Sequence, residues 1–189
     1  MKHFALNDQE GNRNCMAATW SNEQAIREIY LKPFEMSVKD ADCHAVMSSF
    51  NYIGNRWAGG CSELLQNVLR GEWGFLGFVE TDYFGVYGYM TADQAVRNGG
   101  DLMLCTTGND YNNVTVLTNS SKQAMRTSAK NILYTVVNSR AYDEENLNPG
   151  MAKWKIILIG ADVVAALLLV GLEYTAIKNY KKRKEEEEV

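Results

Sequence analysis

Histidine and proline are almost missing, with two of each in 189 residues. So little proline excludes polyproline segments, and 15 glycines without a repeat exclude a collagen-like chain. His3 and His44 are the only imidazoles, and Cys15, Cys43, Cys61 and Cys105 are too far apart for a CxxC pair. A zinc centre is therefore not expected. No cofactor is expected, and the lack of a GxGxxG turn after a strand-like run argues against an open Rossmann-like sheet. A chain of this size does not need disulfides to fold, so the four cysteines are expected to be free or buried. Positive charge is also sparse. Residues 1–150 carry 12 Lys and Arg against 17 Asp and Glu, while 151–189 carry 7 against 6. An acidic body without a basic stripe excludes nucleic acid as the expected partner. The opening Met1-Lys2-His3-Phe4 runs straight into polar residues, unlike a secretory signal. What the chain does have is apolar material, 46% of its residues, enough for one folded domain and an appendage.

The appendage is C-terminal. From 154 to 174 the sequence WKIILIGADVVAALLLVGLEY is almost continuously apolar, close to the roughly 20 residues a helix needs to cross a bilayer core. Trp154 and Tyr174 bracket it where an interfacial aromatic belt would lie. The alternative is a buried core helix, but such a helix is not normally apolar on every face. Asp162 near the middle is the one costly residue, on the order of 2.5–3.5 kcal/mol on insertion scales. Lys178, Lys181, Lys182, Arg183 and Lys184 follow the run, and only Lys153 and Lys155 precede it. The positive-inside rule then predicts a single-pass cell-membrane protein with its body outside and its C-terminus in the cytoplasm. The expected boundaries are a body at 1–147, a linker at 148–153, a membrane helix at 154–177 and a charged tail at 178–189.

The body alternates between the two periodicities. Ser21-Asn22-Glu23-Gln24 reads as a capping box ahead of Ile26, Ile29, Tyr30, Phe34 and Val38 at helical spacing, with Pro33 interrupting the run. Strands are expected at 45–50 (AVMSSF), 75–81 (FLGFVET) and 102–105, and helices at 63–69, after Thr91, and at 121–137. Strand–helix alternation predicts an α/β body with a parallel sheet and right-handed crossovers. It is too short for eight (β/α) units, which leaves a small open sheet or part of a barrel.

In parallel α/β folds, functional groups gather at the carboxyl ends of strands. Asp82 directly follows FLGFVET, so its carboxylate should project from a strand end, although Asp there also serves as a turn former or helix cap. Tyr83, Phe84, Tyr87 and Tyr89 crowd the next residues, and aromatic faces are what sugar rings pack against. Lys2 and His3 supply polar donors, and Phe50 ends another strand.

These residues fall into recognisable blocks. KHFALNDQE at 2–10 with Arg13, REIYLKPFE at 27–35, VMSSFN at 46–51 and LRGEWGFLGFVETDYF at 69–84 closely resemble segments of glycoside hydrolase family 3, in order and with family-like spacing over 2–142. The resemblance implies the second half of a TIM-type (β/α)8 barrel and a retaining β-glucosidase-like enzyme acting on an oligosaccharide or glycoside. It implies Asp82 as nucleophile and Lys2, His3, Arg13, Phe50 and Tyr83 around the sugar. The roles suit the residue types. A carboxylate must attack the anomeric carbon, and a nearby ammonium favours its ionised form.

Two positions depart from the family pattern. Tyr83 stands where Trp is frequent, and Phe50 where many members have a Tyr able to hydrogen-bond the nucleophile. ALNDQE after the Lys-His pair separates the chain from the branch that cleaves N-acetylhexosaminides and favours the glucosidase-like one. The resemblance also leads one to expect that the first half of the barrel and the domain bearing the acid/base Glu belong to missing parts of an intact enzyme. A different reading is a non-catalytic, membrane-anchored carbohydrate-binding or scaffold remnant.

Overall fold

The computed structural model describes residues 1–84, 87–105, 112–143, 147 and 149–187, with only the backbone at 185 and 187. The chain divides into two compact units, Met1–Arg140 and Ala141–Val189.

In the first unit two strands, β2 (Ala45–Met47) and β5 (Phe78–Glu80), run parallel in the register Ala45–Phe78, Val46–Val79, Met47–Glu80. The sheet is extended by single parallel bridges, Phe4 to Ser48 on one side and Glu80 to Leu102 on the other. The order across the sheet is thus N-terminal segment, β2, β5, then the segment at Leu102. All neighbours run parallel, as the strand–helix alternation requires. The expected strand at 45–50 is cut to three residues, and that at 102–105 to one bridge.

Period-two alternation explains the packing. Val46 and Val79 are buried side by side in the core, while their neighbours in the strands are only half-buried. Against them lie Phe4, Leu65, Leu69, Trp73 and Phe75. Phe4 meets Phe34 and Trp73 edge-on at centroid distances of 5.1 and 5.8 Å.

The helical segments are wound less regularly than their sequence spacing predicts. Helix α1 (Glu23–Ala25) passes into a π-wound turn at Ile26–Tyr30, and α2 (Lys32–Lys39) begins afresh with Pro33 in its first turn. Proline has no amide to donate, so it is accommodated only where the helix restarts. The cap is Asn22 rather than Ser21: the Asn22 side chain accepts from the Ala25 amide at 2.8 Å. The segment Glu63–Glu72 is π-helical, closed by the Trp73 amide on the Val68 carbonyl at 3.1 Å. Helix α3 (Ala92–Arg97) is capped by Thr91, as its sequence indicates, and ends before Gly99 at φ +104°. Helix α4 (Asn119–Val137) starts two residues earlier than expected, with Thr118 and Ser121 capping each other reciprocally.

A second small sheet was not legible in the pattern. Its strands are β1 (Ala18–Thr19), β3 (Tyr52–Ile53) and β4 (Arg56–Trp57), with β1 parallel and β4 antiparallel to β3. Gly54 at φ +59° makes the tight connection between β3 and β4.

Helix α4 is tied to the foot of the main sheet. Thr135 Oγ1 donates to the His44 carbonyl at 3.1 Å and accepts from the Phe78 amide at 3.2 Å. Gly77 sits beside this junction, and a Cβ built there would overlap the His44 carbonyl. The atoms it would meet are His44 main chain, which cannot turn aside. Gly77→Ala is expected to destabilise the body by about 1–3 kcal/mol, read as a lowered thermal midpoint. An unchanged midpoint would show that β2 and β5 can separate without cost.

The second unit carries the long helix α5 (Lys153–Glu187), whose described side chains are all exposed. It is long and apolar enough over Lys153–Lys184 to cross a membrane. The last two residues of the tail lie outside the described residues.

Candidate functional site

The site is assembled at the carboxyl end of the main sheet. Beyond Met47 and Glu80 the chain stays pinned: the Ser48 amide donates to the Glu80 carbonyl, and the Ser49 amide to the Phe4 carbonyl, both at 2.8 Å. Thr81 is fully buried, with its amide on the Leu102 carbonyl and its hydroxyl accepting from the Leu104 amide. Anchoring Thr81 on both sides leaves the next residue, Asp82, at the rim. One Asp82 oxygen accepts from the Tyr83 amide at 2.7 Å. The other lies 3.4 Å from His3 Nε2, with the two side chains 13% and 26% exposed.

His3 reaches that position because residues 1–4 run along β2. The Met47 amide donates to the Met1 carbonyl, and the Phe4 amide to the Met47 carbonyl. His3 and Asp82 therefore come from segments flanking β2 and meet across its end. Lys2 is exposed and shares with His3, Asn7, Asp8, Tyr30 and Phe34 the lining of a cleft of about 410 Å³. Among the described residues no hydrogen bond or ion pair links Lys2 to Asp82.

Arg13 is held on a second side. Its Nη1 donates to the Glu10 carboxylate at 3.0 Å and to Asn7 Oδ1 at 2.9 Å, and the other Glu10 oxygen pairs with the charge 3.0 Å from Nε. Its guanidinium lies over the Phe50 ring, 4.6 Å from the centroid. Phe50 is itself buried, while Tyr83 is 40% exposed. The structure thus joins His3 to Asp82 and Arg13 to Phe50, and it leaves Tyr83 on the surface at the strand end.

Three contributors were not picked out as site residues from the sequence. Glu10 and Asn7 belong to the NDQE block yet show their role only once Arg13 folds back on them. Tyr89 donates its hydroxyl to the Phe50 carbonyl at 3.0 Å. Glu80 is the nearest acidic neighbour of Asp82 in sequence. Burial, and secondly the Asp82 charge, push its carboxyl above the usual carboxylate range.

A separate buried polar cluster forms around Asp101. Asp101, 1% exposed, receives Arg70 Nη2 at 2.7 Å, the Val79 amide at 2.8 Å and the Asn131 side chain at 3.0 Å. Among the described residues no three His, Cys, Asp or Glu side chains converge where a metal ion could be held. All four cysteines are free thiols.

Residues 1–133 match the glycosyl hydrolase family 3 N terminal domain. Probable beta-glucosidase K of Emericella nidulans is 40% identical over 102 residues, which is 54% of this chain and 12% of that protein. Beta-glucosidase B of the same organism is 43% identical over 102 residues, again 12% of its length. Among solved structures, beta-glucosidase 3B from Thermotoga neapolitana in complex with glucose superposes with a TM-score of 0.62 at 30% identity, covering 77% of this chain and 21% of that one. The chain therefore spans a small part of the relatives it matches. With the matched domain covering the whole parallel sheet and the Asp82 rim, the chain belongs to glycosyl hydrolase family 3.

Proposed function

We propose that this chain carries the nucleophile and part of the sugar-binding surface of a retaining, β-glucosidase-like glycosidase. The single observation that carries the reading is Asp82, a carboxylate at the carboxyl end of β5 with the His3 imidazole 3.4 Å away. In the proposed reaction Asp82 attacks the anomeric carbon of the glycoside while the bond to the leaving oxygen breaks. A second carboxyl group, about 5–5.5 Å away, protonates that oxygen and later takes a proton from the water that releases the sugar. We assign the second carboxyl to parts of the enzyme outside these 189 residues, together with the other barrel strands.

His3, Lys2 and Arg13 would donate to sugar hydroxyls, and the exposed ring of Tyr83 would offer a face to the pyranose. The half-barrel character, with residues 1–147 as the partial domain, belongs to the same proposal. The test is stereochemical. Proton NMR of an aryl β-glucoside digest by the intact enzyme should show the β-anomer of the free sugar first. An initial α-anomer, or no hydrolysis, would contradict the reading.

The same proposal places 154–177 across the cell membrane, with 148–153 as linker, the body outside and 178–189 in the cytoplasm. The exposure of every described side chain of α5 supports it, because a core helix would be covered. Alkaline extraction of membranes should leave the chain in the pellet, and external protease should remove the body while sparing a tag at the C-terminus. Release into the supernatant would refute the anchor without touching the catalytic reading.

A further inference from the structure

The guanidinium of Arg13 has one edge occupied and one to spare. Glu10 and Asn7 accept the Nη1 protons, and the second Glu10 oxygen lies 3.0 Å from Nε, whereas Nη2 has no partner among the described residues. The Phe50 ring lies beneath the group, 4.6 Å from its central carbon. Phe50 lies three residues past the end of β2, between the Ser49 carbonyl, which accepts from Trp57 Nε1 at 2.9 Å, and the Asn51 carbonyl, which accepts from the Ala58 amide at 2.9 Å. Two tyrosines hold Phe50 itself, one at its carbonyl and one at its ring. Tyr89 donates its hydroxyl to the Phe50 carbonyl at 3.0 Å. Tyr87 meets the Phe50 ring edge-on, 5.3 Å between centroids at 82°, and stacks on Tyr89 at 5.9 Å with the rings within 3° of parallel. Tyr89 is backed in turn by Tyr52 and Trp57.

We propose that Tyr89 is a positioning residue for Arg13, acting through Phe50. The hydroxyl clamps the Phe50 main chain, the stacked Tyr87 steadies its ring, and the ring holds the guanidinium plane so that Nη2 presents its two donors at a fixed angle. This assigns a function to a hydroxyl that Phe50 itself lacks. The clamp needs a phenol that keeps its proton. Burial, with the neighbouring Tyr52, Tyr87 and Asp82, pushes the Tyr89 pKa up to about 12 even though Arg13 draws it down. The consequence for catalysis rests on the glycosidase reading above; the mechanical coupling does not.

The mechanical part is tested in the 189-residue chain by ¹⁵N relaxation of the Arg13 Nε–H. Tyr89→Phe removes the hydroxyl and keeps the ring stack. The Arg13 order parameter is expected to fall from near the rigid range, about 0.85, toward the flexible range below about 0.6. That of Arg27, a surface arginine paired with Glu23 and Glu72, should not change. An Arg13 order parameter equal to that of the parent chain overturns the proposal, whatever the chain does with sugars. The functional part is a double-mutant cycle in the intact enzyme. Tyr89→Phe and Arg13→Lys should each lower kcat/KM, the former by roughly fivefold. Their losses should not multiply when combined. Multiplicative losses would mean that Tyr89 works independently of Arg13 and would overturn the coupling. A parent enzyme without glycosidase activity would refute only the glycosidase reading, and the Arg13 relaxation result then decides the proposal.

Discussion

Asp82→Asn is expected to lower turnover of an aryl β-glucoside by on the order of 10⁴-fold or more, with sugar binding largely intact. The amide keeps the shape of the side chain and can still accept from the Tyr83 amide, so the local turn has no reason to move. It cannot supply the electron pair that forms the covalent sugar ester, and nucleophile and acid/base act as a unit. Lys2→Ala and His3→Ala should behave differently. Their expected contacts are to sugar hydroxyls, so affinity and turnover should both weaken, with the larger loss wherever a contact tightens in the transition state. Steady-state kinetics and sugar titration on the same preparations separate the patterns. An Asp82→Asn enzyme within tenfold of the parent would place the nucleophile elsewhere.

The largest expected effect on stability lies away from that carboxylate, at Asp101. Its two oxygens gather Arg70, the Val79 amide and Asn131, and thereby join the π-helical segment Glu63–Glu72, β5 and α4 at one buried point. Arg70 also donates to the Gly77 carbonyl at 2.9 Å and the Gly99 carbonyl at 3.3 Å. Burial pushes the Asp101 carboxyl up and the Arg70 guanidinium down, and their mutual attraction opposes both shifts. Removing one partner would strand a charge only 19% exposed. Asp101→Ala should therefore cost about 3–5 kcal/mol, measured by urea unfolding followed through tryptophan fluorescence. Replacing both partners, as in Asp101→Leu with Arg70→Met, should cost less than Asp101→Ala alone, because no ion remains buried without a counter-charge. A loss below about 1 kcal/mol for Asp101→Ala would mean that water reaches Arg70 freely.

Much of this architecture was legible because side chains repeat with the backbone. The apolar run FLGFVET announces a buried strand, and its last polar residue must lie at a strand end. Thr91 at the head of α3 and Gly99 beyond its end mark that helix by capping chemistry alone. The π-wound turns at Ile26–Tyr30 and Glu63–Glu72 were not legible. One residue of extra winding leaves the apolar positions nearly in place, and hydropathy does not register it. The hairpin at Tyr52–Trp57 escaped notice because each strand has two residues, too few for alternation to register.

The candidate site divides in the same way. Asp82 and His3 could be singled out from residue type and position, and Arg13 from the family resemblance. Their partners could not, since Glu10, Asn7 and Tyr89 act through contacts that exist only after folding. Tyr89 and Phe50 are 39 residues apart and joined by one hydrogen bond. No local pattern encodes that contact.

The measurement that bears most directly on the assignment of Asp82 is covalent trapping. A 2-deoxy-2-fluoro-β-glucoside with a dinitrophenolate leaving group needs no general acid to depart, so it interrogates the nucleophile without relying on the second carboxyl. The fluorine slows release of the sugar from the enzyme, and peptide mass spectrometry then locates the ester. The predicted result is one fluoroglucosyl group per chain, on Asp82, lost when Asp82 is replaced by Asn. A label on Glu80, or on any carboxylate other than Asp82, would contradict the account.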